Sequence, residues 1–413
     1  MAASSRPRRF QTGTAALRAA IYYLACWSTI AVVFPTTIPG GRWWAALLAL
    51  ATTAPIVSVI VRGGWKRYPT AAFRMFVVRP ILYTQLLLPL VAGAGLIGLL
   101  AGAPFGAPLA AGRIAAGIVL GVMVLLFVAG YIGTHRLVTR QIDATVPGLP
   151  AEFDGLRIAQ ISDLHVGPQT SRRFLARVVR TTMTLNADLI AITGDLIDDR
   201  EEDVAHFAAG LGRLHAPLGV FIIPGNHDVY AGWPAVERNL RAAVPADVLV
   251  NEARVLTRGS AHIALVGTGD PAGRRTGDAA PDLDRALAGI PPDAVVIALA
   301  HNPALWPALA ERGVDLTLSG HTHWGQFALP RLGWSMASPF LAHAMGVHEA
   351  DGSLLYIHPG TGYWGVPFRI GASPEVALIT LRAGAPAVVR MSDAEAVGQC
   401  LDVVHHHVPD LVG

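Results

Sequence analysis

The first 142 residues of this 413-residue chain contain no aspartate or glutamate. Cysteine is almost missing as well. Cys26 and Cys400 stand at opposite ends, which excludes a disulfide framework and any cysteine-based zinc motif. Lysine occurs once, at Lys66, against 31 arginines, and with the abundant alanine this reads as a GC-rich bacterial coding sequence. Charge of either sign is sparse, at 15 % of residues, while 52 % are apolar. The net charge of +3 is the sum of two unlike parts, +13 over residues 1–142 and −10 over the remainder. That balance disfavours a nucleic-acid binder, whose basic residues would cluster on its folded domain. It fits a membrane part joined to an acidic domain.

Four long apolar stretches precede the acidic part, at about residues 19–38, 43–61, 77–101 and 114–133. Each approaches the ~20 residues that cross a hydrocarbon core as a helix. Their interiors hold no acids, which leaves a transporter or proton pump without its usual intramembrane carboxylate. Arginines crowd the amino terminus, the loop between the second and third stretches, and the segment after the fourth, where Arg136 and Arg140 lie. The positive-inside rule then places the large domain in the cytoplasm of a multi-pass cell-membrane protein, whereas an odd number of spans would put it outside. Arg8-Arg9-Phe10 resembles a twin-arginine export signal only faintly, and three further apolar runs follow it, so the pair reads as a topology anchor. The expected organisation is a transmembrane region over 1–140, a connector over 141–156, a catalytic domain over 157–385 and a tail over 386–413.

In the soluble part, short Val- and Ile-rich runs end repeatedly in polar clusters. RIAQIS leads to Asp163-Leu164-His165, and DLIAIT to Gly194-Asp195. VFII leads to Gly225-Asn226-His227-Asp228, AVVIALA to His301, and VDLTL to Gly320-His321-Thr322-His323. Runs this short, bounded by Gly and Pro, read as buried strands. Helical segments fit near 170–185, 201–213, 233–243 and 303–311, which makes the domain α/β with functional loops at one end of its strands. Five strand ends thus supply Asp163, His165, Asp195, Asn226, His301, His321 and His323. This mixture of oxygen and imidazole donors suits divalent cations. Seven donors exceed one tetrahedral ion and suit two ions sharing a carboxylate, with His321 and His323 each serving a different one. Two such ions lower the pKa of a shared water and clamp the oxygens of an in-line displacement.

The set DLH, GD, GNHD, H and GHTH, in this order and spacing, resembles the calcineurin-like metallophosphoesterase superfamily over roughly residues 155–385. The flanking text LVNEA, AHNPAL, DLTLSGHTHWGQ and SPEVALITL is similar to its membrane-associated bacterial, YkuE-type branch, whose transmembrane members the amino-terminal half also resembles. The resemblance implies a two-sheet β sandwich flanked by helices. It implies that Asp163, His165 and His323 hold one ion, that Asn226, His301 and His321 hold the other, and that Asp195 bridges them. His227 would contact the phosphoryl group or protonate the leaving oxygen, with Asp198 orienting it and Asn226 stabilising charge. The ions would be Mn, Fe, Zn or Mg. Two departures stand out: Asp199 occupies the place where many members carry arginine, with Arg200 one position later, and Trp324 replaces a glycine. The tryptophan could narrow the pocket or stack on substrate; equally it could pack on the domain surface or face the membrane.

The expected function is a membrane-bound two-metal phosphoesterase. A metal-bridging hydroxide would attack a phosphodiester of lipid or membrane-derived origin. The alternatives are a phosphomonoesterase or nucleotide phosphodiesterase, and, in another class, a non-catalytic metal-binding membrane scaffold, which retention of all seven ligands disfavours. A β-lactamase-type zinc hydrolase is excluded, because no compact H-x-H-x-D-H cluster exists. Asp270 reads as a turn residue. His343, His348 and His358 read as structural or exposed, with a pocket role for the His358–Gly362 stretch as the alternative. His405, His406 and His407 receive no function.

Overall fold

The computed structural model describes residues 6–34, 41–62, 73–167, 170–385 and 387–393. The chain divides into two units, Met1–Val128 and Ala129–Gly413.

The first unit is helical. It holds α1 (Arg6–Val33), α2 (Gly41–Arg62), α3 (Arg79–Gly102), which a π-helical turn at Arg74–Val78 precedes, and most of α4 (Pro108–Thr134). Small residues let α3 and α4 approach: a Cβ on Gly98 or Gly102 would come within 3.0 Å of atoms of Ala111. Such small-residue contacts are how helices pack where lipid removes the hydrophobic drive between them. Arg113 Nε donates to the Val33 carbonyl at 2.8 Å, satisfying an end of α1. Among the described residues, Ala16–Val33, Phe76–Phe105 and Pro108–Thr134 are long and apolar enough to cross a membrane. The apolar part of α2, Trp43–Ser58, is shorter than the crossing expected there. Residues 35–38 of the first expected span lie outside the described residues, as does the tail from 394, with Cys400 and the three tail histidines.

The second unit is a two-sheet α/β sandwich, whose central strands are buried along their length. One sheet has the order β15-β1-β14-β2-β3-β4-β5. In chain order these are β1 (Val138–Val146), β2 (Arg157–Ile161), β3 (Leu189–Thr193), β4 (Val220–Ile223), β5 (Asp247–Val248), β14 (Glu375–Ala383) and β15 (Val388–Asp393). The other sheet is β12-β13-β9-β8-β7-β6, made of β6 (Glu252–Arg258), β7 (Ala261–Gly267), β8 (Val295–Leu299), β9 (Leu316–Ser319), β12 (Gly346–Ala350) and β13 (Ser353–Ile357). Strands β2 to β5 run parallel, as do β7, β8, β9 and β13. Ile158, Leu189, Ala191, Phe221 and Ile223 meet Ile263, Leu265, Ile297 and Leu299 between the sheets. The intervening residues Ala159, Ile190, Ile192, Val220 and Ile222 face outward onto α5 (Arg172–Thr184), α6 (Val204–Leu211) and α8 (Trp233–Ala243), beside the short α7 (Asn226–Tyr230). Both faces of these strands are covered, so their sequences read as unbroken apolar runs rather than alternating ones. Each such Ile, Leu or Val, fully buried, contributes roughly 1.5–3 kcal/mol.

The domain extends beyond the expected 157–385. The stretch expected to be a connector contributes β1, which lies between β14 and β15. Ile142, Ala144 and Val146 point into the core, while Gln141, Asp143 and Thr145 alternate outward, and this half-polar pattern reads as a linker in sequence. Residues 388–393 of the expected tail form β15. Arg140, counted above as a topology charge, sits in β1 with its Nε 2.6 Å from the buried Glu375 Oε2.

Candidate metal centre

All seven sequence-derived donors follow the carboxyl ends of parallel strands and meet in one place. Five of them, Asp163, His165, Asp195, His321 and His323, have left-handed φ angles between 44° and 71°. Non-glycine residues avoid this region at a cost of order 1–3 kcal/mol each, and such strain gathers at functional sites. Three glycines explain why the loops can come so close. Gly194, Gly225 and Gly320 each precede a donor and each touch a donor from another loop. A Cβ on them would fall within 3.0 Å of His301, of Asp195 and of Asp163 respectively. The motif words G-D, G-N and G-H are therefore a packing requirement as much as a chemical one.

The donors form two groups that share a carboxylate oxygen. In the first, His165 Nε2 lies 3.0 Å from His323 Nε2, and His323 Nε2 lies 3.3 Å from Asp163 Oδ1. In the second, Asn226 Oδ1 lies 2.7 Å from His321 Nδ1 and 3.3 Å from His301 Nε2. Asp195 Oδ2 stands between them, 3.6 Å from His165 Nε2 and 3.3 Å from His301 Nε2.

Surrounding contacts fix these side chains. His301 Nδ1 donates to the Thr193 carbonyl at 2.8 Å, which leaves Nε2 as the donor atom facing the centre. The Asp163 carboxylate accepts from Ser162 Oγ at 2.6 Å and from the His321 amide at 3.0 Å. Asp195 Oδ1 accepts from the His227 amide at 2.8 Å. Sequence reasoning missed two supports. Asp228, fully buried, accepts from the amides of Leu196, Ile197 and Gly225 and so clamps the GD loop to the GNHD loop. Its signal was the last letter of GNHD. Arg369, also fully buried, donates to the carbonyls of Pro359, Ala372 and Gly362, and its Nη2 lies 3.0 Å from His323 Nδ1. Nothing in the sequence marked this arginine.

Several expectations change in detail. His227 Nδ1 donates to the Asp198 backbone carbonyl at 2.6 Å, so the Asp198 carboxylate is not what orients it. That carboxylate lies 3.6 Å from His165 Nδ1 instead, and Asp199 Oδ1 lies 3.7 Å from His227 Nδ1. Trp324 is 2 % exposed and donates to the Ile357 carbonyl at 2.9 Å, so it is an interior anchor rather than a pocket wall, surface or membrane contact. Arg200 pairs with Glu202 at 2.9 Å. Asp270 is buried, and its Oδ1 accepts the Ala272 amide as a turn residue's would. His358 is buried and accepts the Gly360 amide at 2.9 Å. Its loop braces the DLH segment, through Thr361 N to the Ser162 carbonyl and Gly362 N to the Asp163 carbonyl.

Electrostatics favours bound cations. Burial would raise the Asp195 carboxyl, but the His301 and His165 rings beside it hold it below the usual range. Burial lowers His321 to about 4 and His323 well below an ordinary histidine, so both present neutral nitrogen lone pairs. His301 goes the other way: burial opposes its proton, yet Asp195 wins and raises it well above the usual value. A cation between these two groups would supply the same positive charge. Asp163, His165 and His323, and separately Asp163, Asp195 and His301, bring donor atoms within 4.8 Å of one another. Two carboxylates, an amide oxygen and four imidazoles thus fit divalent metal binding in number, kind and spacing.

The profile for calcineurin-like phosphoesterases matches residues 156–325. The chain is 34 % identical over 279 residues to "Transmembrane protein with metallophosphoesterase domain" of Danio rerio, covering 63 % of this chain and 62 % of that protein. It is 34 % identical over 227 residues to an "Uncharacterized metallophosphoesterase" of Helicobacter pylori, covering 55 % and 60 %. It is 31 % identical over 257 residues to "Uncharacterized metallophosphoesterase YkuE" of Bacillus subtilis, covering 62 % of this chain and 88 % of that protein. The chain spans 62 % or less of the length of the first two of these curated relatives. With the motif set and this breadth of similarity together, the chain belongs to the calcineurin-like metallophosphoesterase family.

Proposed function

We propose that this protein hydrolyses a phosphate ester at a membrane surface, from its cytoplasmic side, using two divalent cations. The reading rests chiefly on one observation, the single oxygen Asp195 Oδ2 within 3.6 Å of donors from both groups. Asp163, His165 and His323 would hold one ion, Asn226, His301 and His321 the other, and Asp195 both. When bound, such ions neutralise phosphoryl oxygens and lower the pKa of water. The chain's own contribution is positioning and proton transfer. His227 donates through Nδ1 to the Asp198 carbonyl, which leaves Nε2 for the substrate. Burial opposes its charge, but Asp199 and Asp195 outweigh that and raise it to about 9, so the ring carries a proton to give to a departing alkoxide. Tyr230 and Trp364, both half-exposed, stand 5.9 and 6.1 Å from the His227 ring and form an aromatic rim. A rim of this kind suits an ester with an apolar or lipid-linked portion.

The test is hydrolysis of an aryl phosphodiester and an aryl phosphomonoester by the purified chain with added manganese. Asp195→Asn should reduce metal-dependent turnover by at least about 10³-fold while the protein stays folded. Turnover that this substitution leaves unchanged would remove the proposal.

A further inference from the structure

Within the Ala129–Gly413 unit, large apolar side chains at the surface are concentrated rather than scattered. Leu329, Leu332, Trp334, Met336, Phe340 and Leu341 all lie between residues 329 and 341, with Leu332 73 % and Phe340 82 % exposed. Exposed apolar side chains gathered in one stretch of chain like this point to an interaction surface. The excursion grows directly from the loop carrying His321 and His323. Its base is the pairing of β10 (Ala328–Leu329) with β11 (Trp334–Ser335), and the Met336 amide donates to the Phe327 carbonyl at 2.9 Å. Gln326 ties it to the exposed Trp364 through bonds of 2.9 and 3.0 Å. The patch is therefore continuous with the rim around His227.

Charge and connectivity identify what covers it. No aspartate or glutamate occurs between residues 316 and 348, or between 352 and 374, although the domain holds all 29 acids. Arg331 supplies a cation in the middle of the apolar excursion. Aromatic residues with arginine and without acids are the composition of a membrane interface. Only residues 135–137 separate Thr134, the end of α4, from Val138, a link of at most about 14 Å. Residues 129–134 of this same unit already touch the rim segment: the Arg369 amide donates to the Gly130 carbonyl at 2.9 Å, and a Cβ on Gly130 would overlap the Phe368 ring. With 27 residues, α4 is roughly 40 Å long against a ~30 Å hydrocarbon core, so its last turns reach the headgroup layer.

We propose that the 329–341 excursion is a bilayer-docking surface, which beds the catalytic face in the headgroup layer so that phosphate esters reach His227 from the lipid side. The delivery of substrate rests on the function proposed above; the docking does not. The test uses the full chain with Cys26→Ser and Cys400→Ser, in nanodiscs of phosphatidylcholine with one part in four phosphatidylglycerol. Single substitutions Leu332→Cys, Phe340→Cys and, on the exposed edge strand β6, Val255→Cys carry an environment-sensitive fluorophore. Insertion by the ~5–10 Å typical of interfacial segments predicts quenching by doxyl-labelled lipid at least about threefold stronger at 332 and 340 than at 255. Iodide should show the reverse order. Equal lipid quenching at the three positions would overturn the proposal. So would shielding at 332 and 340 that tracks protein concentration instead of lipid, the mark of a second copy. Because the readout needs no turnover, an inactive protein that docks and an active one that does not are told apart.

Discussion

His227 is held by two contacts of different kind, a backbone carbonyl that fixes its orientation and nearby carboxylates that hold its proton. If it donates that proton to the leaving group, its importance must grow as the leaving group worsens. His227→Gln should slow hydrolysis of an alkyl ester by about 10²–10⁴-fold, and of a nitrophenyl ester much less. Bound metal, measured by elemental analysis, should not change. An equal loss on both esters would move His227 from proton transfer to mere binding. At this scale the sequence was informative where chemistry and position coincide: every donor stands within four residues of a strand's carboxyl end. It was silent where a residue acts through its backbone. Asp198 contributes a carbonyl, which any residue has, and no residue type announces that. Arg369 lies outside every motif, and its burial comes from loops that meet only in the folded chain.

Elements were legible in proportion to how completely they are buried. Strands β2, β3, β4, β8 and β9 are covered on both faces, so apolar composition alone revealed them. β1 is covered on one face and begins beside an apolar helix, so its alternation passed for a linker. Yet β1 carries an interaction that ties the two sheets. Arg140 on β1 and Tyr356 on β13 both reach the Glu375 carboxylate on β14, whose side chain has no exposure. Arg140→Met would leave that carboxylate buried without its cation. We expect a loss of about 3–5 kcal/mol, read as a lowered midpoint in chemical denaturation. Adding Glu375→Gln should restore part of it, because a neutral amide needs no counter-charge. A double variant as unstable as the single one would show that Arg140 acts by packing alone.

On the scale of the whole molecule, two solvents shape one chain: lipid selects the acid-free helices, and water selects the acidic sandwich. The candidate metal centre lies in the second unit, and bound cations should stabilise that unit by mass action. At a free cation concentration near a hundred times the dissociation constant the gain is about 2.7 kcal/mol, or roughly 5–10 °C in Tm for a domain of this size. A chelator should remove that shift in the native protein and have no effect on Asp195→Asn. A melting temperature indifferent to chelation in the native protein would deny the centre its metals. The place of β1 has a further consequence for synthesis. Both of its neighbours, β14 and β15, come from residues 375–393, and Arg140 and Glu375 stand 235 residues apart. At ~5–20 residues per second, the ribosome leaves both edges of that strand unpaired for roughly 10–50 s after it is made. Closure of the larger sheet thus waits until residues 375–393 have been made, and a ribosome that stops before them would release a nascent domain with its hydrogen-bonding groups open to aggregation or to a chaperone.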